Sequence, residues 1–102
     1  MSNHALINCP ILITRGEIVF PSVTVTIDVG RIFSVAAVNK SIEIFDSRII
    51  VVSQKDISVN EPSFEDCYNI GTLCSIKAVQ EINGIIRVRL DGKERVKVES
   101  IS

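Results

Sequence analysis

Tryptophan is absent from these 102 residues, and histidine, methionine and tyrosine occur once each. Tyr68 is joined by only four phenylalanines, so a base-stacking platform for nucleic acid would need nearly every ring in the chain. The single histidine, His4, lies in a small polar start. Ser-His and Cys-His nucleophile pairs therefore have no base to draw on. Cys9, Cys67 and Cys74 make an odd count without a C-x-x-C. That speaks against a disulfide framework or a zinc site and for small buried hydrophobes in a reducing compartment. No apolar run nears the ~18 residues of a membrane span, and neither a signal peptide nor an Arg-rich transit pattern opens the chain. A cytoplasmic location is the resulting expectation. Acids and bases nearly cancel, 12 against 11, leaving a net charge of −1 and no field that would draw in nucleic acid or an anionic membrane. The five glycines are scattered, and none opens a phosphate-cradling G-x-x-x-x-G-K-[ST] loop. Carboxylates gather only between Asp56 and Asp66, in a stretch with Pro62 and no periodicity. A metal site would want them on a rigid element, so no metal and no cofactor is expected. Ser53 and Lys55 form an S-x-K, but at the end of an apolar strand with nothing else of a catalytic site around it.

What the chain does have is aliphatic patterning. Its hydrophobic fraction is 46 %, and 102 residues suffice for one domain with one modest core, 1–102, with residues 1–5 expected to be disordered. The stretch Arg15–Arg31 organises the rest. Val23, Val25, Ile27 and Val29 face one way and Thr24, Thr26 and Asp28 the other, the period of a half-buried strand with its inner side in the core. Phe20-Pro21 makes an extended corner before it. Behind Gly30, Ile32, Val35, Val38, Ile42 and Phe45 recur at spacings of three and four, an amphipathic helix of about three turns. Arg31 at its start has the wrong sign for a helix N-terminus and is expected to pair with Asp28 or Glu17.

Leu6–Thr14 predicts a strand with Pro10 near its start or on an edge. Ile49-Ile50-Val51-Val52 is apolar without alternation, a strand buried on both faces. Cys67–Glu81 is a long extended segment with Ile70, Cys74, Ile76 and Ala78 on one face, and Asn83-Gly84 is a strong hairpin signal. A two-residue turn there would set Leu90 opposite Lys77. A three-residue loop with Gly84 in a bulge would set Leu90 opposite Ile76 and Val88 opposite Ala78, and the matching faces favour it. Asp91-Gly92 is expected to be a second sharp turn before a last strand through Val96 and Val98. The whole is an α+β, mostly β domain of about six strands and one main helix, curled into a partly closed barrel.

Several blocks in order carry a family resemblance: Pro10-Ile11-Leu12, Val19-Phe20-Pro21, Asp28-Val29-Gly30-Arg31 with Ser34-Val35-Ala36-Ala37, Ile50-Val51-Val52-Ser53-Gln54-Lys55, Glu65-Asp66-Cys67-Tyr68-Asn69-Ile70-Gly71-Thr72, and Asp91-Gly92-Lys93-Glu94-Arg95-Val96. The chain resembles the N-terminal, substrate-binding domain of Lon, the ATP-dependent serine protease, over nearly its whole length. Ser22 departs from the family at a glycine-like position, and the hairpin loop before Asn83-Gly84 is short.

The resemblance implies a PUA-like pseudo-barrel. It implies a lobe that precedes the ATPase and Ser-Lys protease modules and carries no catalysis or cofactor of its own. It further implies recognition of exposed apolar segments in misfolded or tagged proteins, and assembly into a hexamer. Ile18, Phe20, Pro21, Phe64 and Tyr68, apolar side chains in predicted loops, are the candidate substrate contacts. A purely structural oligomerisation lobe and a stand-alone Lon-like binding protein are the alternatives. RNA binding, known for PUA-like barrels, is disfavoured by the charge balance and the scarce aromatics. The family adds a strand after the position of Ser102, so an open edge and self-association through it, or through an apolar patch, are expected.

Overall fold

The computed structural model describes residues 9–98. It lays out β1 (Ile11–Thr14), β2 (Thr24–Val29), α1 (Ile32–Ile44), β3 (Arg48–Ser53), β4 (Ile70–Ile82) and β5 (Ile85–Lys97), with one 3-10 turn at Phe64–Asp66. The expected disorder of residues 1–5 lies outside the described residues. The strands form one sheet in the order β1-β3-β4-β5-β2, parallel between β1 and β3 and antiparallel elsewhere. The mostly β class with one helix holds, with five strands in place of about six. The missing boundary is Asp91-Gly92, which is no turn: β5 runs straight through it.

β3 is buried on both faces, as its unalternating sequence predicts. Ile49 and Val51 enter the larger core with Leu12, Val19, Ile27, Val29, Val38, Cys74, Ile76, Val88 and Leu90. Ile50 and Val52 enter a second core with Ile13, Cys67, Leu73 and Val98. β2 is core only at its far end. Ile27 and Val29 are buried, Val25 is half-buried against the core, and Val23, just before the strand, is 43 % exposed.

The hairpin resolves its register conflict by another route than the predicted loop. Ile82 pairs with Ile85 across a two-residue turn, and Asn83 and Gly84 both take positive φ, 51° and 83°. Leu90 nevertheless sits opposite Ile76, because β4 bulges at Lys77; Val88 is opposite Val79 instead of Ala78. A second shift, at Lys93 on β5, cancels the first, so the register beyond Leu73 is again that of the hairpin tip.

The inward side of the helix is rotated from its aliphatic stripe, which it shares at Val38 and at the half-buried Val35. Ser34, Val38 and Ser41 are its buried residues, while Ile32 is 88 % exposed and Ile42 and Ile44 face outward. Small side chains let α1 approach β1 and β3 closely. Ser41 can be buried at little cost because its hydroxyl donates to the Ala37 carbonyl at 2.9 Å. The Ser34 hydroxyl has no partner among the described residues. Past the helix, Asp46 and Ser47 both adopt left-handed φ, and the Ser47 N–H returns to the Ser41 carbonyl at 2.8 Å.

The outer face of β2 and β5 carries two polar links. Arg87 donates to Asp28 at 2.9 Å directly across the ladder, and the Thr24 hydroxyl donates to Asp91 at 2.6 Å. The Arg87 bond holds the Asp28 carboxyl below its ordinary value of 3.8, and the Thr24 hydroxyl does the same for Asp91. A depressed folded value contributes stability that is present above 3.8 and is lost as pH falls through the folded value. Asp28→Asn is therefore expected to lower the urea midpoint at about pH 7, and by steadily less as pH falls below 3.8 through the folded value. A difference that persists at the acid end would show that Asp28 acts through something other than its charge.

Candidate functional site

The segment between β1 and β2 lies along β4 and β5, turned at its start by one local bond and held to the two strands by three others. The Thr14 hydroxyl donates to the Glu17 carbonyl at 2.6 Å. The buried Thr72 hydroxyl donates to the Val19 carbonyl at 2.5 Å. Ser22 N–H donates to the Gly92 carbonyl and Gly92 N–H to the Val23 carbonyl, both at 2.9 Å. Pro21 and Ser22 form the corner of the turn, closed by the Val23 N–H on the Phe20 carbonyl, with Ser22 at φ 68° where the sequence lacks the expected glycine. The corner places Val19 inside the larger core and leaves Ile18 and Phe20 on either side of it, 55 % and 51 % exposed.

Opposite them stands the entry to β4. Tyr68 N–H donates to the Ser53 carbonyl at 2.9 Å and Val98 N–H to the Asn69 carbonyl at 2.7 Å, so the backbone under Tyr68 and Ile70 is fixed from two sides. Both side chains stay about half exposed. Between the two walls runs a groove of about 230 Å³, lined by Ile18, Tyr68, Ile70 and Thr72 and bounded by Glu17 and Arg95. The Arg95 guanidinium also stacks over the Phe20 ring, 5.5 Å from its centre. A wider hollow of about 540 Å³ continues past Tyr68 and Asn69 to Lys55, Phe64 and Glu65.

The five residues singled out from the sequence thus sit around one region in different roles. Ile18 and Tyr68 line the groove, whereas Phe20 does not line it and meets its margin through the Arg95 guanidinium stacked on its ring. Pro21 is half-buried and shapes the turn, and Phe64 lines the outer hollow while packing against the second core. Ile70 and Arg95 escaped sequence reasoning. Ile70 shares its parity with Thr72, Cys74 and Ile76, which are buried, but lies beyond the point where β3 covers β4. Arg95 is one of several basic residues spaced along β5, and only the corner at Phe20 distinguishes it.

Arg31 corrects another expectation. It pairs with neither Asp28 nor Glu17. Its guanidinium donates to the Gln54 side-chain oxygen at 2.5 Å and to the Ile13 carbonyl at 2.6 Å, and stacks over Phe33 at 4.9 Å. Gln54, buried just past β3, passes the link on by donating to the Asp56 and Val59 carbonyls at 3.0 and 2.9 Å. The Asp56–Asp66 stretch is the expected surface loop, moored by this node and by a reciprocal cap between Ser63 and Asp66. Among the described residues no three Cys, His, Asp or Glu side chains converge as a metal site would require, and no helix is long and apolar enough to cross a membrane.

A rigid sheet that carries a short apolar groove, framed by one acid and one base, is the make-up of a binding module. Residues 8–102 match the family model of the ATP-dependent protease La (LON) substrate-binding domain, and the chain belongs to that family. It is 37 % identical over 93 residues to the Lon protease of Halothermothrix orenii, covering 90 % of this chain and 12 % of that protein. Among solved structures, the N-terminal domain of a Mycobacterium avium complex Lon protease superposes with a TM-score of 0.68 at 18 % identity, over 87 % of this chain and 44 % of the other. A Lon N-terminal domain protein from Xanthomonas campestris gives 0.65 at 18 %, over 89 % and 48 %. The chain spans about 12 % of the length of the curated relatives it matches, and the matched part is the substrate-binding part, not a catalytic one.

Proposed function

We propose that the groove between Ile18–Phe20 and Tyr68–Ile70 holds exposed apolar segments of misfolded or tagged proteins, as the recognition element of an ATP-dependent Lon-type protease. The observation that carries this reading is the placement of four large apolar side chains, Ile18, Phe20, Tyr68 and Ile70, each about half exposed on backbone that is hydrogen-bonded in place. A preformed apolar wall binds an extended aliphatic or aromatic segment without first ordering itself. Glu17 and Arg95 at its margins supply polar partners for a peptide backbone passing between them.

The test is binding of a permanently unfolded, fluorescently labelled protein to this chain. Ile18→Asp and Tyr68→Ala are each expected to weaken it about tenfold, the loss of one well-buried apolar contact. Their melting temperatures should stay close to the parent's, since both side chains are half exposed. No binding at high micromolar concentration, or equal binding by the variants, would remove the groove from substrate recognition.

The outward aliphatic residues of α1, Ile32, Ile42 and Ile44, favour a second role in packing against neighbouring parts of an assembled, hexameric protease. We place the chain in the cytoplasm and read its 102 residues as one domain. Three free cysteines, two of them buried, are in keeping with a reducing compartment.

A further inference from the structure

The two margins of the groove differ in charge. Thr72 and Ile70, which line it, stand directly opposite Arg95 and Lys97 in the β4–β5 ladder, and the register is unbroken from Ile70 to Leu73. Direct partners across a ladder carry their side chains on the same face, so both cations emerge along the β5 margin of the groove. Glu94 cannot neutralise them from within the strand. It stands opposite Leu73, which packs into the second core, and so it belongs to the other face. The ion pairs among the described residues, Lys77–Asp91 and Arg87–Asp28, lie toward the hairpin and leave Arg95 and Lys97 without a carboxylate partner there. The Phe20 ring, 5.5 Å from the Arg95 guanidinium, positions that charge without cancelling it. Glu17 lines the far wall, forms no ion pair with Arg95, and lies in the field of Arg31.

We propose that the groove selects, among apolar segments, those that carry aspartate or glutamate beside the apolar residue it holds, with Arg95 and Lys97 receiving the carboxylates. This specificity rests on the groove being the seat of substrate recognition, as proposed above. Arg95 and Lys97 are two positions apart on one strand, about 6.6 Å. Alternate side chains of an extended segment have the same spacing, so a segment lying along this margin offers one carboxylate to each cation. The guanidinium can take its carboxylate through two parallel bonds, and its stack on Phe20 leaves it less freedom to lose on binding. The apolar walls strengthen both pairs by keeping water from one side of them. A segment without acids crowds the two cations and gives them nothing in return, and a segment with lysines is repelled by both. The groove therefore discriminates against segments that are merely apolar.

Fluorescence anisotropy on the 102-residue chain tests this with peptides that share one apolar core and differ only in the residues flanking it: aspartate, asparagine or lysine. The aspartate peptide should bind about fivefold more tightly than the asparagine peptide, and the lysine peptide about fivefold more weakly, the range of partly exposed ion pairs. The advantage of aspartate should shrink as salt is raised. Affinities are compared as ratios within each protein, so a general weakening of the groove cancels. Lys97→Glu, which leaves the Arg95–Phe20 stack in place, should cut the aspartate advantage to about twofold or less. The double variant R95E/K97E should invert the order, with the lysine peptide bound most tightly. Equal affinities for the three peptides would overturn the proposal while leaving the groove as a binder of apolar segments. Failure of every peptide to bind would remove the groove and the proposal together. An aspartate preference that persists in R95E/K97E would overturn it as well, since the carboxylates would then be read elsewhere.

Discussion

Replacing Gly92 with alanine is expected to destabilise the fold by about 4 kcal/mol, from a clash of a methyl group with backbone plus the loss of two backbone hydrogen bonds. A β-carbon at this position would lie 2.2 Å from the Phe20 carbonyl oxygen, 3.0 Å from its carbon and 3.3 Å from a Val19 methyl. Backbone on both sides leaves neither partner free to rotate away. The corner must lift, and with it go the Ser22–Gly92 and Gly92–Val23 bonds and the docking of Val19, which is only 2 % exposed. A melting temperature lower by about 15 °C or more follows for a domain of this size. The same substitution should abolish binding of an unfolded protein in the groove, since Ile18 and Phe20 ride on the lifted segment. Gly84→Ala is the control. Its φ is +83°, but no atom lies within 4 Å of the added carbon, so only the left-handed backbone penalty of about 1 kcal/mol applies. Equal costs at the two glycines would show that the corner does not grip β5.

The second large effect is expected at Gln54. Leucine there keeps much of the volume and removes every polar atom. The Arg31 guanidinium would lose the acceptor it meets at 2.5 Å, the Val59 carbonyl would lose its donor, and the Asp56 carbonyl would keep only the Val59 N–H at 3.3 Å. A charged donor short of one acceptor and a carbonyl left without its donor cost about 3 kcal/mol. Gln54→Glu separates the two halves of the role. It strengthens the acceptor for Arg31 but sets a carboxylate oxygen against two carbonyls, so it should fall between the parent and leucine in urea unfolding. Limited proteolysis adds a local readout: in the leucine variant, cleavage between Lys55 and Ser63 should precede global unfolding. If the loop resists protease as well as the parent's does, Gln54 serves the core and not the loop.

Much of this architecture is written in the alternation of the chain. β2, the doubly buried β3 and the Asn83-Gly84 hairpin each follow from a local pattern, and so does the switch from strand to helix at Gly30. What stayed hidden depends on contacts between distant segments. The helix carries aliphatic residues on nearly every side, so its spacing picks out a stripe but not the side that packs. Ser34 and Ser41 win because small side chains let α1 settle onto β1 and β3. Gln54 reads as one more polar residue at a strand end. Its burial depends on an arginine 23 positions away and on a loop that folds back over it. Asp91-Gly92 has the composition of a turn, yet its glycine is there for the Phe20 carbonyl. At the site, the apolar loop positions Ile18 and Tyr68 could be read locally, whereas Arg95 gains meaning only from the ring stacked beneath it.

The strand order also has a consequence in time. Among the described residues, β2 is the second strand to be made and pairs only with β5, the last of the five; Thr24 and Asp91, neighbours in the ladder, are 67 positions apart in the chain. β1 likewise waits for β3. Only the β4–β5 hairpin can close from local sequence, so it is the natural nucleus, and the aliphatic side of β2 stays unsheltered until almost the whole sheet has been synthesised. Such a chain folds late and slowly, on the millisecond-to-second scale of sheets dominated by distant pairings. Until then it displays an unshielded aliphatic stretch of its own.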